Sequence, residues 1–133
     1  MKKRILRIVI FLSLLFALHV SWGQRQTLDN VRIAIKNGNT SSLTAYLSTS
    51  IDLKINNEEG VYSDKQALVV LEKFFTQSPA VDFKYNHVGS TQSNSKYYSI
   101  GTYSLVNSSY RVLISYKLLN GIYLIDKIHF DLE

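Results

Sequence analysis

The chain has 133 residues, no cysteine, one proline and a formal charge of +5. The missing cysteines exclude disulfides, thiolate zinc sites and thiol nucleophiles. Four of the 15 Lys and Arg residues lie among the first seven positions and the rest nearly balance the 10 Asp and Glu, so the body of the chain has no basic footprint for nucleic acid.

Lys2, Lys3, Arg4 and Arg7 precede an apolar run from Ile8 to Val20, interrupted only by Ser13 and His19. Ser21-Trp22-Gly23 then supplies small residues at the −3 and −1 positions before Gln24. That pattern predicts a signal peptide over 1–23, cleaved near Gly23-Gln24, and a periplasmic or extracellular destination. The run is short for a membrane span, which needs about 20 apolar residues, so no membrane association is expected after removal. Residues 24–133 have the size of one domain.

Thr27 is a candidate cap for a helix over Leu28–Asn37, with Leu28, Val31 and Ile35 on one face and Gly38 as its stop. Ser41 or Ser42 opens a short second helix carrying Leu43, Tyr46 and Leu47. Residues 51–56 alternate apolar and polar as a half-buried strand does, and 56–60 reads as a turn. Ser63-Asp64-Lys65-Gln66 is a capping box. It starts a helix whose Ala67, Leu68, Val70, Leu71, Phe74 and Phe75 fill an arc of about 160°, with Val69 as the misfit and Pro79 as the stop. Four strands follow: Val81–Gly89, Lys96–Val106, Ser109–Leu119 and Ile122–Leu132, rich in Tyr, Val and Ile. Turn residues separate them at 90–95, 107–108 and 120–121. Early helices and late consecutive strands predict an α+β fold: a curved antiparallel sheet of four to five strands packed on an N-terminal helical layer.

Asp126 interrupts the apolar series Ile122, Leu124, Ile128, Phe130 and Leu132. A two-residue turn at Asn120-Gly121 mixes apolar and charged side chains on both faces, whereas a three-residue turn with Gly121 in the left-handed region separates them. The second register places Asp126 opposite Ile114. A two-residue turn at Asn107-Ser108 sets Gly101 beside Ile114, flanked along its row by Tyr97 and Tyr103. The prediction is a notch lined by Tyr97, Gly101, Tyr103, Ile114 and Tyr116 with the Asp126 carboxylate inside. Tyrosines on strands more often fill half-exposed core positions, and a bulge would turn Asp126 to solvent. Leu113, Leu119, Tyr123 and Ile125 fall on the opposite face, where a homodimer surface is a further reading.

The stretches "GVYSDKQALVVLEKFFTQSP" and "YYSIGTYSLVNSSYRVLISYKLLNGIYLIDKIHF" carry G-x-Y-S, FF-x-x-x-P and I-G-T-Y motifs. In these and in element order the chain resembles a family of small exported Bacteroidota proteins, domain of unknown function 4783, with a nuclear transport factor 2-like (cystatin-like) fold. The resemblance implies a cone-shaped sheet around helices and an exported location. It implies no activity, and it transfers no functional residue.

His19, His87 and His129 show no H-x-H or H-x-x-x-H spacing, so no metal site is expected, and no glycine-rich phosphate loop or G-x-S-x-G elbow occurs, so no cofactor is expected. The leading functional reading is an exported non-catalytic module that binds a small apolar ligand or a protein partner. One alternative is a cofactor-free isomerase or dehydratase with Asp126 as general base and a tyrosine as oxyanion donor. The other is a structural dimer subunit of an envelope assembly.

Overall fold

A computed structural model describes residues 2–91 and 95–133, the side chains of 11–22 excepted. The apolar run and the small-residue stretch of the expected signal segment fall largely on those excepted side chains, and part of the 90–95 turn also lies outside the described residues. Among the described residues no helix is long and apolar enough to cross a membrane.

Helix α1 spans Lys2–Asn37 without a break. Thr27 is therefore not a cap. Its hydroxyl donates to the carbonyl of Gly23 one turn back, at 3.0 Å, and no proline between 2 and 37 interrupts the helix. The stop is the expected one. Gly38 adopts φ 64°, its N–H donates to Ile35 O and the next N–H, of Asn39, donates to Ala34 O. This paired closure of orphan carbonyls needs a residue comfortable at positive φ. Asn39, rather than Ser41 or Ser42, caps α2 (Thr40–Leu43), accepting from Ser42 N at 3.2 Å, and a 3-10 turn over Thr44–Tyr46 leads into the sheet.

The strands are β1 (Leu47–Ile55), β2 (Glu58–Ser63), β3 (Asp82–Ser90), β4 (Lys96–Ser104), β5 (Ser109–Leu119) and β6 (Ile122–Leu132). Helix α3 (Asp64–Gln77) separates β2 from β3, and both reciprocal bonds of its capping box form between Ser63 and Gln66. Among the described residues these strands make one curved six-stranded sheet in the order β2-β1-β6-β5-β4-β3. Two features differ from the sequence reading. The segment read as a turn closes tightly at Asn56-Asn57, with Asn56 at φ 55°, and continues as edge strand β2. Strand β1 pairs with β6 in parallel, so the sheet is mixed.

The inner face of the sheet holds the core. Phe83, Tyr97, Tyr103, Val112, Ile114, Tyr116, Ile125, Ile128 and Phe130 are buried there, under Val31, Ala34 and Ile35 of α1 and Ala67, Leu71, Phe74 and Phe75 of α3. Val69, the misfit of the helical arc, is exposed. Aromatic contacts knit the α3 end: the Phe74 ring lies 4.7 Å from Phe130 and 5.3 Å from Tyr110, edge-on to the latter.

Candidate functional site

The β5–β6 register decides where Asp126 lies. Leu119 pairs with Ile122 and Tyr116 with Ile125, so the turn at Asn120-Gly121 is the two-residue form. Gly121 adopts φ 78° and Asn120 φ 51°, the pair of positive angles such a hairpin turn requires. Past Tyr116 the pairing shifts, Ser115 facing Lys127 and Ile114 facing Ile128. Asp126 is thus the extra residue of a β-bulge. The expected separation of apolar and charged side chains is achieved, but by the bulge and not by an odd-length turn. Asp126 does not lie opposite Ile114. Its Oδ2 is 3.5 Å from the Lys96 ammonium. Lys96 pairs with Lys117, and both alternate with the buried Tyr97 and Tyr116, so Asp126 belongs to the outer face. Its Oδ1 is covered and meets no hydrogen-bond partner.

Gly101 also sits differently. Strands β4 and β5 are joined through Leu105–Ser108, closed by a bond from Leu105 N to Ser108 O at 2.8 Å. This moves the register by two residues and pairs Gly101 with Val112, while Ser99 faces Ile114. A shift of two preserves the face, so Tyr97, Gly101 and Tyr103 remain on the inner row as expected. The space beside Gly101 is filled. A Cβ placed there would stand 2.6 Å from Lys84 O and 2.8 Å from the Phe83 ring. Tyr103 is committed as well, its hydroxyl donating to Ser78 O at 2.6 Å.

The tyrosine row therefore splits. Tyr103 belongs to the packed α3 end. Tyr97 and Tyr116 lie at the end near the β5–β6 turn, where their rings stack at 4.4 Å and 10°. Tyr123 meets Tyr97 edge-on at 4.7 Å. Tyr123 and Ile125 thus face inward, and of the residues expected on a dimer face Leu113 and Leu119 remain outside. Sequence reasoning did not single out Ser99 or Tyr85. Ser99 shares the inner row by simple alternation between Tyr97 and Gly101. Tyr85 reaches the same place from β3 and donates to Leu28 O of α1 at 2.7 Å.

The polar atoms of this cluster are poorly matched. The hydroxyls of Tyr97, Ser99 and Tyr116 are buried and meet no hydrogen-bond partner. Tyr85 and Ser99 stand close enough to Tyr116 for weak hydroxyl–hydroxyl interactions, but none of these reaches the geometry of a full hydrogen bond. Such orphans are rare in native interiors, because each forgoes water without replacing it. Burial keeps the phenols protonated. It pushes Tyr85 and Tyr103 up to about 12 and drives Tyr97 and Tyr116 higher still, with neighbouring phenols adding to the rise.

A folded-state value above the unfolded value of about 10 stabilises the fold fully below pH 10. That contribution is lost as pH rises through the folded value. Phenolate absorbance followed upward in pH is therefore expected to show all four hydroxyls silent where free tyrosine ionises, at about pH 10, with Tyr85 and Tyr103 ionising at about 12 and Tyr97 and Tyr116 only as the fold gives way. Full ionisation of all nine tyrosines in a chain that keeps its native circular dichroism would contradict this.

On the outer face, β2, β1 and β6 bring charged groups together. His129 Nε2 lies 3.1 Å from Asp52 Oδ1 and 3.6 Å from Glu59 Oε1. Lys127 is 3.7 Å from the other Asp52 oxygen, and Lys54 binds Asp131 at 2.6 Å.

The comparisons bear on kinship and fold. A Bacteroides uniformis protein of the DUF4783 family, solved by crystallography, is 27% identical with a TM-score of 0.73, covering 79% of this chain and 95% of that one. Its counterpart from Bacteroides fragilis is 28% identical with a TM-score of 0.73, over 78% and 96%. An NTF-2 like protein of unknown function from Silicibacter pomeroyi is 10% identical with a TM-score of 0.60, over 89% and 98%, a likeness of fold alone. No curated protein gives a significant match. The fold is nuclear transport factor 2-like, and with the domain-of-unknown-function pattern DUF4783 matching residues 28–131, the chain belongs to that family.

Proposed function

We propose that this is an exported, non-catalytic binding module whose inner tyrosine cluster takes a small, mostly apolar molecule bearing a carbonyl-type acceptor. The carrying observation is the set of buried, unpartnered hydroxyls on Tyr97, Ser99 and Tyr116. Phenols held protonated by burial are donors, so the missing complement is an acceptor. The stacked rings of Tyr97 and Tyr116, with Tyr123 on edge, surround these hydroxyls with apolar surface suited to a mostly apolar molecule. With Asp126 on the outer face beside Lys96, the cluster contains no carboxylate base, so donors and aromatic walls favour binding over proton abstraction.

The export reading rests on the basic start, the apolar run and the small residues before Gln24. Cleavage there would leave the rest of α1 with Leu28, Val31, Ala34 and Ile35, its described contributions to the core.

A thermal-shift and native mass-spectrometry screen of planar carbonyl compounds tests the proposal. Binding is expected to raise the melting temperature of the wild type and to be lost in Tyr97→Phe and Tyr116→Phe. Without ligand, Tyr116→Phe should leave stability unchanged or raise it by up to about 1 kcal/mol, because an unpartnered buried hydroxyl is removed. Ligands that bind both variants as tightly as the wild type, or no binding by any acceptor-bearing compound, would overturn the reading.

A further inference from the structure

We propose that Asp52, Glu59 and His129 form a binding site for a divalent first-row transition ion, with Zn2+ as the best fit, on the outer face of the sheet. The three donors come from three adjacent strands. Glu59 on β2 and His129 on β6 both pair with Lys54 of β1, and Asp52 lies two residues before Lys54 on the same face. Glu59 and His129 thus flank one position, and Asp52 meets them from the diagonal. One donor atom from each lies within 4.8 Å of the other two.

The spacing suits a metal. Ligand bonds of about 2.0–2.2 Å in a tetrahedron put donor atoms about 3.3–3.6 Å apart. The imidazole nitrogen already stands 3.1 Å from one carboxylate oxygen and 3.6 Å from the other. Three protein donors leave a fourth position for water. One imidazole with two carboxylates is a borderline set that suits Zn2+ better than Mg2+ or Ca2+, which take oxygen ligands in larger number.

Two further observations point the same way. The Nε2 of His129 is buried, and despite the nearby carboxylates no hydrogen bond of acceptable geometry satisfies it. The two lysines are engaged so as to leave the donor atoms available. Lys127 approaches Asp52 Oδ2, which leaves Oδ1 toward the histidine. Lys54, which stands between Glu59 and His129 in the ladder, is drawn off by Asp131 at 2.6 Å. Lys127 then acts as an outer partner that orients the Asp52 carboxylate, as groups behind metal ligands commonly do.

The site is distinct from the inner tyrosine cluster, so its test stands apart from that of the proposed function. Isothermal titration of the purified exported protein with ZnCl2, after treatment with a chelator, is expected to show one saturable equivalent bound. A tenfold excess of Mg2+ should not displace it. His129→Gln and Glu59→Gln should each weaken binding at least about tenfold; Glu59 lies on an exposed edge strand away from the core, so its variant keeps the fold intact. Asp126→Asn, on the same outer face but outside the cluster, should bind as the wild type does. No saturable Zn2+ binding, or binding retained in both His129→Gln and Glu59→Gln, overturns the proposal and leaves the cluster an ion-paired network only.

Discussion

Gly101→Val is expected to destabilise the chain by about 3 kcal/mol or more, above the usual overpacking cost of about 1–3 kcal/mol. The residue lies on the inner row of β4 with no room for a side chain. The first added carbon would stand 2.6 Å from a backbone oxygen, Lys84 O, and 2.8 Å from the Phe83 ring. The oxygen cannot swing aside as a flexible side chain would. It belongs to β3, where the ladder pairs Tyr85 with Gly101 and then skips to His87 with Ile100, leaving Asn86 as an extra residue. Relief of the clash therefore requires β3 to move off β4 at its bulge, or the fully buried Phe83 to leave its place. Urea denaturation checks this: the midpoint should fall while the slope stays the same. A loss under about 1 kcal/mol would mean that the contact between β3 and β4 is looser than the geometry requires.

Phe130→Ala is expected to cost about 3–5 kcal/mol, the range for deleting a buried aromatic ring. Phe130 has no exposed surface. Its ring lies against Phe74 at 4.7 Å and Tyr103 at 5.6 Å, and its carbonyl accepts the N–H of Asn56 at 2.8 Å. It thus joins α3 to the sheet at the strand that pairs with both β1 and β5. Since small domains hold a margin of about 5–15 kcal/mol, the variant should be largely unfolded in mild denaturant. Phe130→Leu, which keeps most of the volume, should cost less than about 1.5 kcal/mol. Similar losses for the two variants would show that the ring itself, and not the volume it fills, is what the site contributes.

How much of this was legible in the sequence varies with the range of the interaction. The capping box at Ser63–Gln66 and the ends of β5 and β6 depend on neighbours within a few residues, and they form where the pattern places them. Strand β2 was missed because it is polar and lies at the sheet edge, where no alternating apolar row is needed. The parallel pairing of β1 with β6 joins residues more than 70 apart, and no local pattern encodes that neighbour.

The site is the instructive case. The demand that apolar and charged residues separate between β5 and β6 was sound, but an odd residue can be absorbed at the turn or along the strand. The buried residues Ile125, Ile128 and Phe130 show the answer, a step of three followed by a step of two. That break in period marks Asp126 as the bulge. Tyr97, Tyr116 and Ile114 were placed on the correct face by alternation alone, and Ser99 was available to the same reasoning. The Asp52, Glu59 and His129 group was not, since its members come from three strands and no ligand spacing exists along the chain.

The position of β6 carries a consequence for the order of assembly. Strands β3, β4 and β5 are joined by short connections and can zip together as soon as they exist. The β1–β2 hairpin reaches the rest of the sheet only through β6. Until residues 122–132 are available, the two halves of the sheet share no strand pairing, and only helix contacts such as Phe74 on Tyr110 and Tyr85 on Leu28 bridge them. Closure of the sheet is therefore deferred until β6 has been made, and a ribosome-stalled fragment ending before it should stay open, protease-sensitive and capable of being threaded.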